Sequence, residues 1–264
     1  MLLVNVKFYD KNNPMQKLNK LFLLKLLNIL MFIATLYVNY LSVVYKIGGK
    51  SIRELSDKYD NLFTPSPGTF AIWSLIYLLI MVFLVVQFFE KNANQLVVRN
   101  AYFAISCLLN CAWIICWQFE YLNLSLVVML GLLTTLAIIN KQIKEGRSAI
   151  LKIVFGVYLG WICIATVANA TALLVSMNLA IHIQTQEVIT IVMMILSAII
   201  VIGVMYKLAN TYLSIAVSWA FYGIYLKRVT DFSVIAHTAM ALSVLVLLSA
   251  VLIYRKVQLN VNTK

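Results

Sequence analysis

The sequence predicts an all-α integral membrane protein with about eight transmembrane helices and no soluble globular domain. Of its 264 residues, 63% are hydrophobic and only 11% are charged. Soluble domains are roughly 45–50% apolar and about 25% charged, so most of this chain needs lipid around it. Between residues 70 and 254 the charged residues fall almost only in short gaps between long apolar runs. An ionised side chain at the bilayer centre costs at least about 2.5–3.5 kcal/mol, which explains that segregation.

Eight apolar runs follow a basic N-terminal tail, residues 1–25. A helix rises about 1.5 Å per residue, so about 20 residues cross a hydrocarbon core of about 30 Å. The first run is longer than the apolar core of a signal peptide and has no cleavage site after it, so we expect it to be retained. The predicted spans are residues 26–45, 70–89, 100–118, 122–139, 153–175, 188–206, 211–226 and 232–254.

The seventh span, residues 211–226, is the shortest. Three arrangements are open for it. It is an upright helix, a helix whose flanking Lys and Arg side chains snorkel to the membrane surface, or a re-entrant segment.

The distribution of Lys and Arg predicts the orientation. With eight spans, one side holds most of these residues, in the N-terminal tail, residues 90–99, residues 140–152, Lys207 and the C-terminal tail. The positive-inside rule places both termini in the cytoplasm. The basic residues of these loops and tails account for the net charge of +12. They set the topology and are attracted to anionic lipid headgroups. No nucleic-acid partner is therefore expected.

The sequence shows no pattern of a catalytic or metal site. All four cysteines lie in apolar runs without a His or carboxylate that could complete a metal site, and they are Cys107, Cys111, Cys116 and Cys163. No nucleophile–His–carboxylate set, His-x-x-x-His pair or Gly-rich phosphate loop is present. We therefore predict a protein that is not an enzyme and that has no metal or resident cofactor.

Aromatic and neutral polar residues lie at helical spacing on three of the predicted helices. Residues spaced by three or four share one face of a helix. The sets, here called the aromatic stripes, are Phe70, Trp73 and Tyr77; Ser106, Asn110, Trp113 and Trp117; and Tyr158, Trp161, Ala165 and Asn169. The spacing is consistent with a pocket between helices, but it also has structural explanations.

Two structural explanations remain open for the stripes. In the first explanation, Asn110 and Asn169 only join helices by hydrogen bonds. Trp73 and Trp117 lie near helix ends, where tryptophan anchors a protein at the membrane interface. Trp113 and Trp161 lie deeper in their runs, which favours a pocket for them.

Gly156 and Gly160 form a Gly-x-x-x-Gly pair roughly opposite the stripe that contains Trp161. Small residues at this spacing let two helix backbones approach closely. We expect this face to pack against another helix, and it is a candidate contact for a homodimer.

Residues 158–169 resemble a pattern of the TspO/translocator family, also called tryptophan-rich sensory proteins or peripheral benzodiazepine receptors. The family pattern there is Pro-Tyr-Leu-x-Trp-x-x-Phe-Ala-x-x-Leu-Asn. The matching positions in this chain are Tyr158, Leu159, Trp161, Ala165 and Asn169. Val157, Ile164 and Ala168 replace the proline, the phenylalanine and the second leucine.

Two further segments are similar to the same family, so the resemblance spans about residues 26–175. Asn110 and Trp113 match its Asn-x-x-Trp in the third helix. Its Pro-Pro…Phe-x-x-x-Trp-x-x-x-Tyr has counterparts in Pro65, Pro67, Phe70, Trp73 and Tyr77. Here Ser66 separates the two prolines, and Phe70 precedes Trp73 by three residues instead of four.

The resemblance implies a five-helix bundle enclosing a pocket for hydrophobic molecules such as tetrapyrroles, sterols and isoquinoline-type drugs. Carried over, the ligand-binding residues would be Trp73, Tyr77, Asn110, Trp113, Tyr158, Trp161, Ala165 and Asn169. The loop between the first two helices, residues 46–69, would be a lid that reaches the membrane near Pro65, Pro67 and Phe70. From the residues alone, a solvated connector is an equally good interpretation of this loop.

Residues 176–264 would then add three transmembrane helices and a C-terminal tail to the five-helix domain of residues 26–175. The family's range favours a bacterial cytoplasmic membrane. The leading hypothesis is a receptor, sensor or carrier that binds a flat hydrophobic small molecule, with porphyrin as a candidate ligand. The alternatives are a facilitative transporter of such a ligand, a structural membrane scaffold and an enzyme of tetrapyrrole breakdown, a reaction with which some members of the family are associated.

Overall fold

The computed structural model describes residues 14–89, 101–144, 148–178 and 182–262. Most of the N-terminal tail and the predicted loop 90–99 lie outside these ranges. Within them the regular structure is entirely helical. The helices are α1 Pro14–Tyr40, α2 Ile52–Lys58, α3 Ile72–Val86, α4 Tyr102–Gln118, α5 Leu122–Ile143, α6 Ala149–Ser176, α7 Ile183–Leu208, α8 Leu213–Arg228 and α9 Ser233–Asn262. A π-helical turn, Leu41–Tyr45, extends α1, and a 3₁₀ turn, Pro67–Ala71, precedes α3.

The prediction of an all-α membrane protein is confirmed. In the described part of the chain, six helical segments are long and apolar enough to cross a membrane, and they belong to α1, α3, α5, α6, α7 and α9. Helix α4 is apolar but has only 17 residues, and α8 has 16. The count of eight spans therefore stays a prediction.

Helix α6 is the centre of the bundle. Within its apolar stretch 61% of the residues are buried, against 17% for α1 at the periphery. Helices α3, α5, α7 and α8 all pack against it. Helix α6 therefore packs against α3 and α5, which precede it in the sequence, and against α7 and α8, which follow it.

Several helices are longer than the predicted spans. Helix α1 begins at Pro14, well before residue 26, and α7 begins at Ile183, before residue 188. The predictions located hydrocarbon-crossing segments, whereas a helix continues into the headgroup region for as long as its backbone is hydrogen-bonded.

Gly156 and Gly160 pack against the start of α8 in the same chain. A Cβ atom added to Gly160 would lie 2.3 Å from the backbone oxygen of Leu213, and one added to Gly156 would lie 2.9 Å from Cβ of Tyr212. The close approach expected from the Gly-x-x-x-Gly spacing is therefore present within one chain. This differs from the homodimer contact that the spacing suggested.

Beside this contact, two buried asparagines join three helices. Asn140, at the end of α5, donates its amide N–H to Phe155 O of α6 at 2.9 Å. Asn210, in the α7–α8 turn, donates to Asn140 Oδ1 at 2.8 Å and to Lys152 O at 2.9 Å. Its own Oδ1 accepts the backbone N–H of Tyr212 at 3.2 Å. We call this group the Asn140–Asn210 cluster and this side of the bundle the opposite end.

The other side, here called the lid end, carries the connection 46–69, hereafter the lid. Lys58 of the lid contacts Glu120 between α4 and α5, and Asp60 contacts Arg228 at the end of α8. The two ends contain the loops that the Lys and Arg distribution assigned to two different sides.

Candidate ligand-binding cavity

A cavity lies between the lid and helices α3, α4 and α6. It contains about 620 Å³ of space free of protein atoms, including its opening. The lining residues are Ile52, Ser56, Tyr59, Asn61, Thr64, Pro65, Phe70, Trp73, Trp113, Trp117, Trp161, Ile164, Ala165, Ala168, Asn169 and Ala172.

Four tryptophans form the aromatic part of the wall. The ring centroid of Trp73 lies 6.2 Å from that of Trp113 and 6.3 Å from that of Trp161, with interplanar angles of 25° and 81°. Trp117 continues the first stack, 6.2 Å from Trp113 at 28°. Phe70 meets Trp161 edge to face at 6.1 Å. These distances fall within the range of favourable aromatic pairs, so the cavity presents both ring faces and ring edges.

The structure brings the three aromatic stripes to one place, because each stripe follows one face of its helix. Seven residues that the sequence analysis proposed line the cavity: Pro65, Phe70, Trp73, Trp113, Trp161, Ala165 and Asn169. Three others, Tyr77, Asn110 and Tyr158, do not line it and lie behind the tryptophans. Pro67 begins the 3₁₀ turn that leads into α3.

Polar atoms in this wall lack partners. The indole nitrogens of Trp113 and Trp161 are buried and have no hydrogen-bond partner among the described residues. Asn169 donates its amide N–H to Ser125 Oγ at 2.8 Å, but its Oδ1 is likewise buried and unpaired there. A buried polar atom left without a partner costs about 1–3 kcal/mol. The cavity wall therefore holds two N–H donors and one amide oxygen with unused hydrogen-bonding capacity.

Behind the tryptophans, Asn110 donates its amide N–H to the hydroxyl of Tyr158 at 3.3 Å. The Tyr158 ring meets Trp73 edge to face at 6.1 Å, and Tyr77 lies 5.5 Å from the same indole. Asn110 and Asn169 thus each join two helices through the amide nitrogen, as the structural explanation predicts. These contacts position Trp73 from behind.

The first half of the lid is fixed to the end of α4. Gln118 donates its amide N–H to Lys50 O at 3.0 Å, and the Trp117 indole donates to Ile52 O at 3.5 Å. Glu120, which has a left-handed backbone with φ 60°, accepts hydrogen bonds from the Lys58 ammonium and the Tyr59 hydroxyl. The hydrogen bond from Lys58, and then the one from Tyr59, lower the pKa of Glu120 below its ordinary value.

The second half of the lid is fixed to α8. The backbone N–H of Ser66 donates to Gly223 O at 2.9 Å, and the Trp219 indole donates to the backbone oxygen of Thr69, the last residue of the lid, at 2.8 Å. A Cβ atom on Gly223 would lie 1.9 Å from Thr69 Oγ1, so this close approach requires glycine.

Two cations at the end of α8 hold the middle of the lid. Arg228 donates Nε–H to Leu62 O at 3.3 Å and also donates to Asn61 O. Its guanidinium lies 3.3 Å from the Asp60 carboxylate, and Lys227 Nζ lies 2.7 Å from the same carboxylate. The Arg228 side chain is only 8% exposed. A buried guanidinium needs this set of acceptors, so the lid segment 60–62 and α8 stabilise each other.

The sequence analysis missed the lid residues Ile52, Ser56, Tyr59, Asn61 and Thr64. It placed Trp117 in an aromatic stripe but did not include it among the ligand-binding residues. A local signal for the short helix was available in Ser51 and Glu54. The Ser51 hydroxyl caps Glu54 N at 3.2 Å, and Glu54 accepts Ser51 N–H at 2.6 Å, which is a capping box. Trp117 lies one turn after Trp113, so the stripe itself indicated its direction.

The apolar helices, the aromatic cavity and the fixed lid define an α-helical integral membrane protein with a chamber lined by aromatic side chains between its helices. A family model described as TSPO-like protein matches residues 25–252. The chain therefore belongs to the TSPO-like family, as its motifs indicated. The match extends over most of residues 176–264, which the sequence analysis treated as an addition to a five-helix domain. No curated protein and no solved structure gives a match to this chain.

Proposed function

We propose that this protein is a membrane receptor or carrier that binds a flat hydrophobic molecule in the aromatic cavity. The observation that carries the proposal is the pair of buried, unpaired indole N–H groups of Trp113 and Trp161 in a wall made of aromatic rings. Aromatic faces favour a flat ligand, and unpaired donors favour one that brings acceptor atoms.

The polar atoms favour a tetrapyrrole over a sterol. A tetrapyrrole carries carboxylates or carbonyls that accept hydrogen bonds from both indoles, and its ring N–H groups complement Asn169 Oδ1. A sterol has a single hydroxyl and would leave at least one of these three atoms unpaired. An unpaired buried donor costs about 1–3 kcal/mol, so the ligand that pairs more of them binds more tightly.

In this proposal, Trp73, Trp113 and Trp161 contact the ligand rings, and Asn169 orients it. The position of Trp73 depends on Asn110, Tyr77 and Tyr158, so these residues affect ligand binding indirectly. The lid closes the cavity toward the aqueous side. Following the Lys and Arg distribution and the family's range, we also propose cytoplasmic termini in a bacterial cytoplasmic membrane.

The test is titration of protoporphyrin IX into the purified protein in detergent, followed by quenching of tryptophan fluorescence. Trp161→Phe keeps most of the ring and removes only the N–H donor. We expect it to weaken binding by about tenfold, because a hydrogen bond to an ionised acceptor contributes about 1.5–3 kcal/mol.

Tyr206→Phe is the control, since Tyr206 is 56% exposed at the opposite end, and it should bind like the wild type. Asn169→Ala should also weaken binding. If Trp161→Phe and Asn169→Ala both bind protoporphyrin with wild-type affinity, the cavity is not the binding site.

A second candidate function, facilitated movement of the ligand, is favoured by a groove beside the lid. This groove contains about 1,070 Å³, including open space, and is lined by Asp60–Leu62 of the lid and by α6 and α7. Asn61 lines both the groove and the cavity, so only a thin part of the lid separates them. Accumulation of protoporphyrin in proteoliposomes but not in empty vesicles would distinguish a carrier from a receptor.

A further inference from the structure

A second cavity lies at the opposite end of the bundle, beside the Asn140–Asn210 cluster. It contains about 630 Å³, including its opening, and its wall comes from the start of α6, the α7–α8 turn and the end of α9. The polar side chains in this wall are Lys152, Asn210, Thr211, Tyr212 and Tyr254.

Four of these side chains have hydrogen-bond donors without a protein partner. Asn210 is fully engaged in the cluster. Among the described residues, nothing pairs with the Lys152 ammonium or with the hydroxyls of Thr211, Tyr212 and Tyr254. Lys152, Thr211 and Tyr212 are partly buried. The wall thus presents one cation and three hydroxyl groups to the same space.

Among the described residues, the charges at this end are of one sign. All the acidic residues in the described ranges lie at the lid end, and they are Glu54, Asp57, Asp60, Glu120, Glu187 and Asp231. The described basic residues at the opposite end include Lys20, Lys25, Lys141, Lys144, Lys152, Lys207, Arg255 and Lys256. The electrostatic potential of this end therefore attracts anions, and the donors around Lys152 fit the oxygens of a phosphate.

An apolar surface continues from the cavity toward the bilayer centre. Val251 and Leu247 lie three and seven residues before Tyr254, so they share its face of α9, and they are 51% and 44% exposed. An acyl chain can lie along this face, whereas a free phosphate ion gains nothing from it. Tyr212 and Tyr254 have the amphipathic character that places tyrosine at the headgroup level.

We propose that this cavity, here called the Lys152 cavity, is a binding site for the phosphate group of an anionic phospholipid. The Lys152 ammonium pairs with the phosphate, and the hydroxyls of Thr211, Tyr212 and Tyr254 donate to its oxygens. One acyl chain follows Tyr254, Val251 and Leu247 along α9. This site is separate from the aromatic cavity and does not depend on the ligand proposed there.

The test is native mass spectrometry of the full chain in detergent, titrated with phosphatidylglycerol or with phosphatidylcholine. We expect one phosphatidylglycerol to bind more tightly than phosphatidylcholine. Lys152→Gln should weaken phosphatidylglycerol binding about fivefold, the effect of one lysine near an anionic lipid. Thr211→Val and Tyr254→Phe should each weaken phosphatidylglycerol binding less than Lys152→Gln does. If Lys152→Gln does not fold, these two variants test the proposal instead.

Lys256→Gln is the matched control, because it removes the same charge from the same end. The Lys256 ammonium lies over the Tyr206 ring, 5.2 Å from its centroid, and not in the Lys152 cavity. It should leave phosphatidylglycerol binding within twofold of the wild type. Equal losses in Lys152→Gln and Lys256→Gln would show only a diffuse surface potential and overturn the proposal. Displacement of the lipid by millimolar inorganic phosphate would also overturn it, since the ligand would then be a free anion.

Discussion

Two pairs of buried asparagines, one at each end of the bundle, are used in opposite ways. In the Asn140–Asn210 cluster, each asparagine is at most 1% exposed, and every side-chain polar atom has a protein partner. At the lid end, Asn110 and Asn169 are at most 2% exposed, yet the Oδ1 of each has no partner in the described part of the chain.

The difference separates structural from functional burial of polar groups. A complete hydrogen-bond set stabilises the helix contacts around it and has no capacity left for a ligand. An incomplete set in the membrane interior costs free energy, which a ligand recovers when it supplies the missing partners. These four asparagines all lie in or beside apolar runs of the sequence, and only the partners of each one distinguish the two uses.

The largest expected effect is on the complete cluster. Asn210→Ala leaves Asn140 Oδ1 and Tyr212 N–H without a partner and removes the side-chain hydrogen bond to Lys152 O, so we expect a loss of about 3 kcal/mol in the free energy of unfolding. The matched variant Asn169→Ala breaks one hydrogen bond and removes an oxygen that is already unpaired, so it should cost about 1 kcal/mol or less. Denaturant unfolding in detergent micelles measures both. Equal losses would contradict the distinction between the two ends.

The next effect concerns the contact between α8 and the turn before α3. Gly223→Ala places a methyl group against Thr69 and separates Ser66 from Gly223 O, so we expect a loss of about 1–3 kcal/mol, typical of overpacking. Gly203→Ala is the control. An added Cβ there has no neighbour within 4 Å, and alanine favours a helix by about 1 kcal/mol over glycine. Unfolding curves of the two variants should shift in opposite directions.

A smaller effect is expected from Asp60→Asn, which removes the carboxylate shared by Arg228 and Lys227. Asp60 is 44% exposed, so solvent screens these ion pairs and the change is local. We expect amide hydrogen exchange in residues 60–66 to become about fivefold faster without global destabilisation. Glu54→Gln removes the exposed pair with Lys46 and should leave exchange in residues 60–66 unchanged. Unchanged exchange in Asp60→Asn would show that the ion pairs do not hold the lid.

The smallest effect is acid-dependent loosening of the first half of the lid. The pKa of Glu120 is depressed from its ordinary value of 4.5 by hydrogen bonds from Lys58 and Tyr59. The contribution of this group to stability is therefore present above pH 4.5 and is lost as the pH falls through the lower, folded-state value. After correction for intrinsic rates, amide exchange in α2 should be constant from neutral pH down to the ordinary value of 4.5. It should accelerate as the pH falls further and Glu120 becomes protonated.

Glu120→Gln separates the effect of Glu120 from that of the carboxylates on α2 itself. In this variant the loosening that begins as the pH falls below the ordinary value of 4.5 should be absent. Any residual acid effect should come from Glu54, whose pKa is lowered to about 2 by its hydrogen bonds from Lys46 and Ser51. The same acid response in wild type and Glu120→Gln would assign it to another group.

The sequence predicts most of the fold, because apolar run length and helical periodicity are local properties. The same periodicity predicts that Trp73, Trp113 and Trp161 share an orientation on their helices, and the structure brings them into one cavity. The spacing of Gly156 and Gly160 predicts a close contact but not its partner, because any helix or turn with small side chains satisfies it. The start of α8 in the same chain fills that contact.

The lid could not be predicted to the same depth. Its bonds to Gly223, Trp219 and Arg228 join residues more than 140 positions apart, and no local pattern encodes such pairs. Its cavity-facing residues Ile52, Ser56 and Tyr59 have helical spacing, but the helix has only seven residues, which is too short for a periodic pattern to stand out in the sequence. Asn61 lies beyond the end of that helix. The unpaired polar atoms of Trp113 and Trp161 also depend on the whole bundle, because a missing partner is a property of all the neighbours.

The placement of the tryptophans makes the intrinsic fluorescence of this protein a probe of its cavity and lid. Of its five tryptophans, four surround one chamber, and the fifth, Trp219, is hydrogen-bonded beside the lid. Tryptophan fluorescence of the chain therefore originates either at the cavity, where a ligand would bind, or beside the lid, where the cavity would open. Changes in its wavelength and intensity therefore report on occupancy and closure without any attached dye.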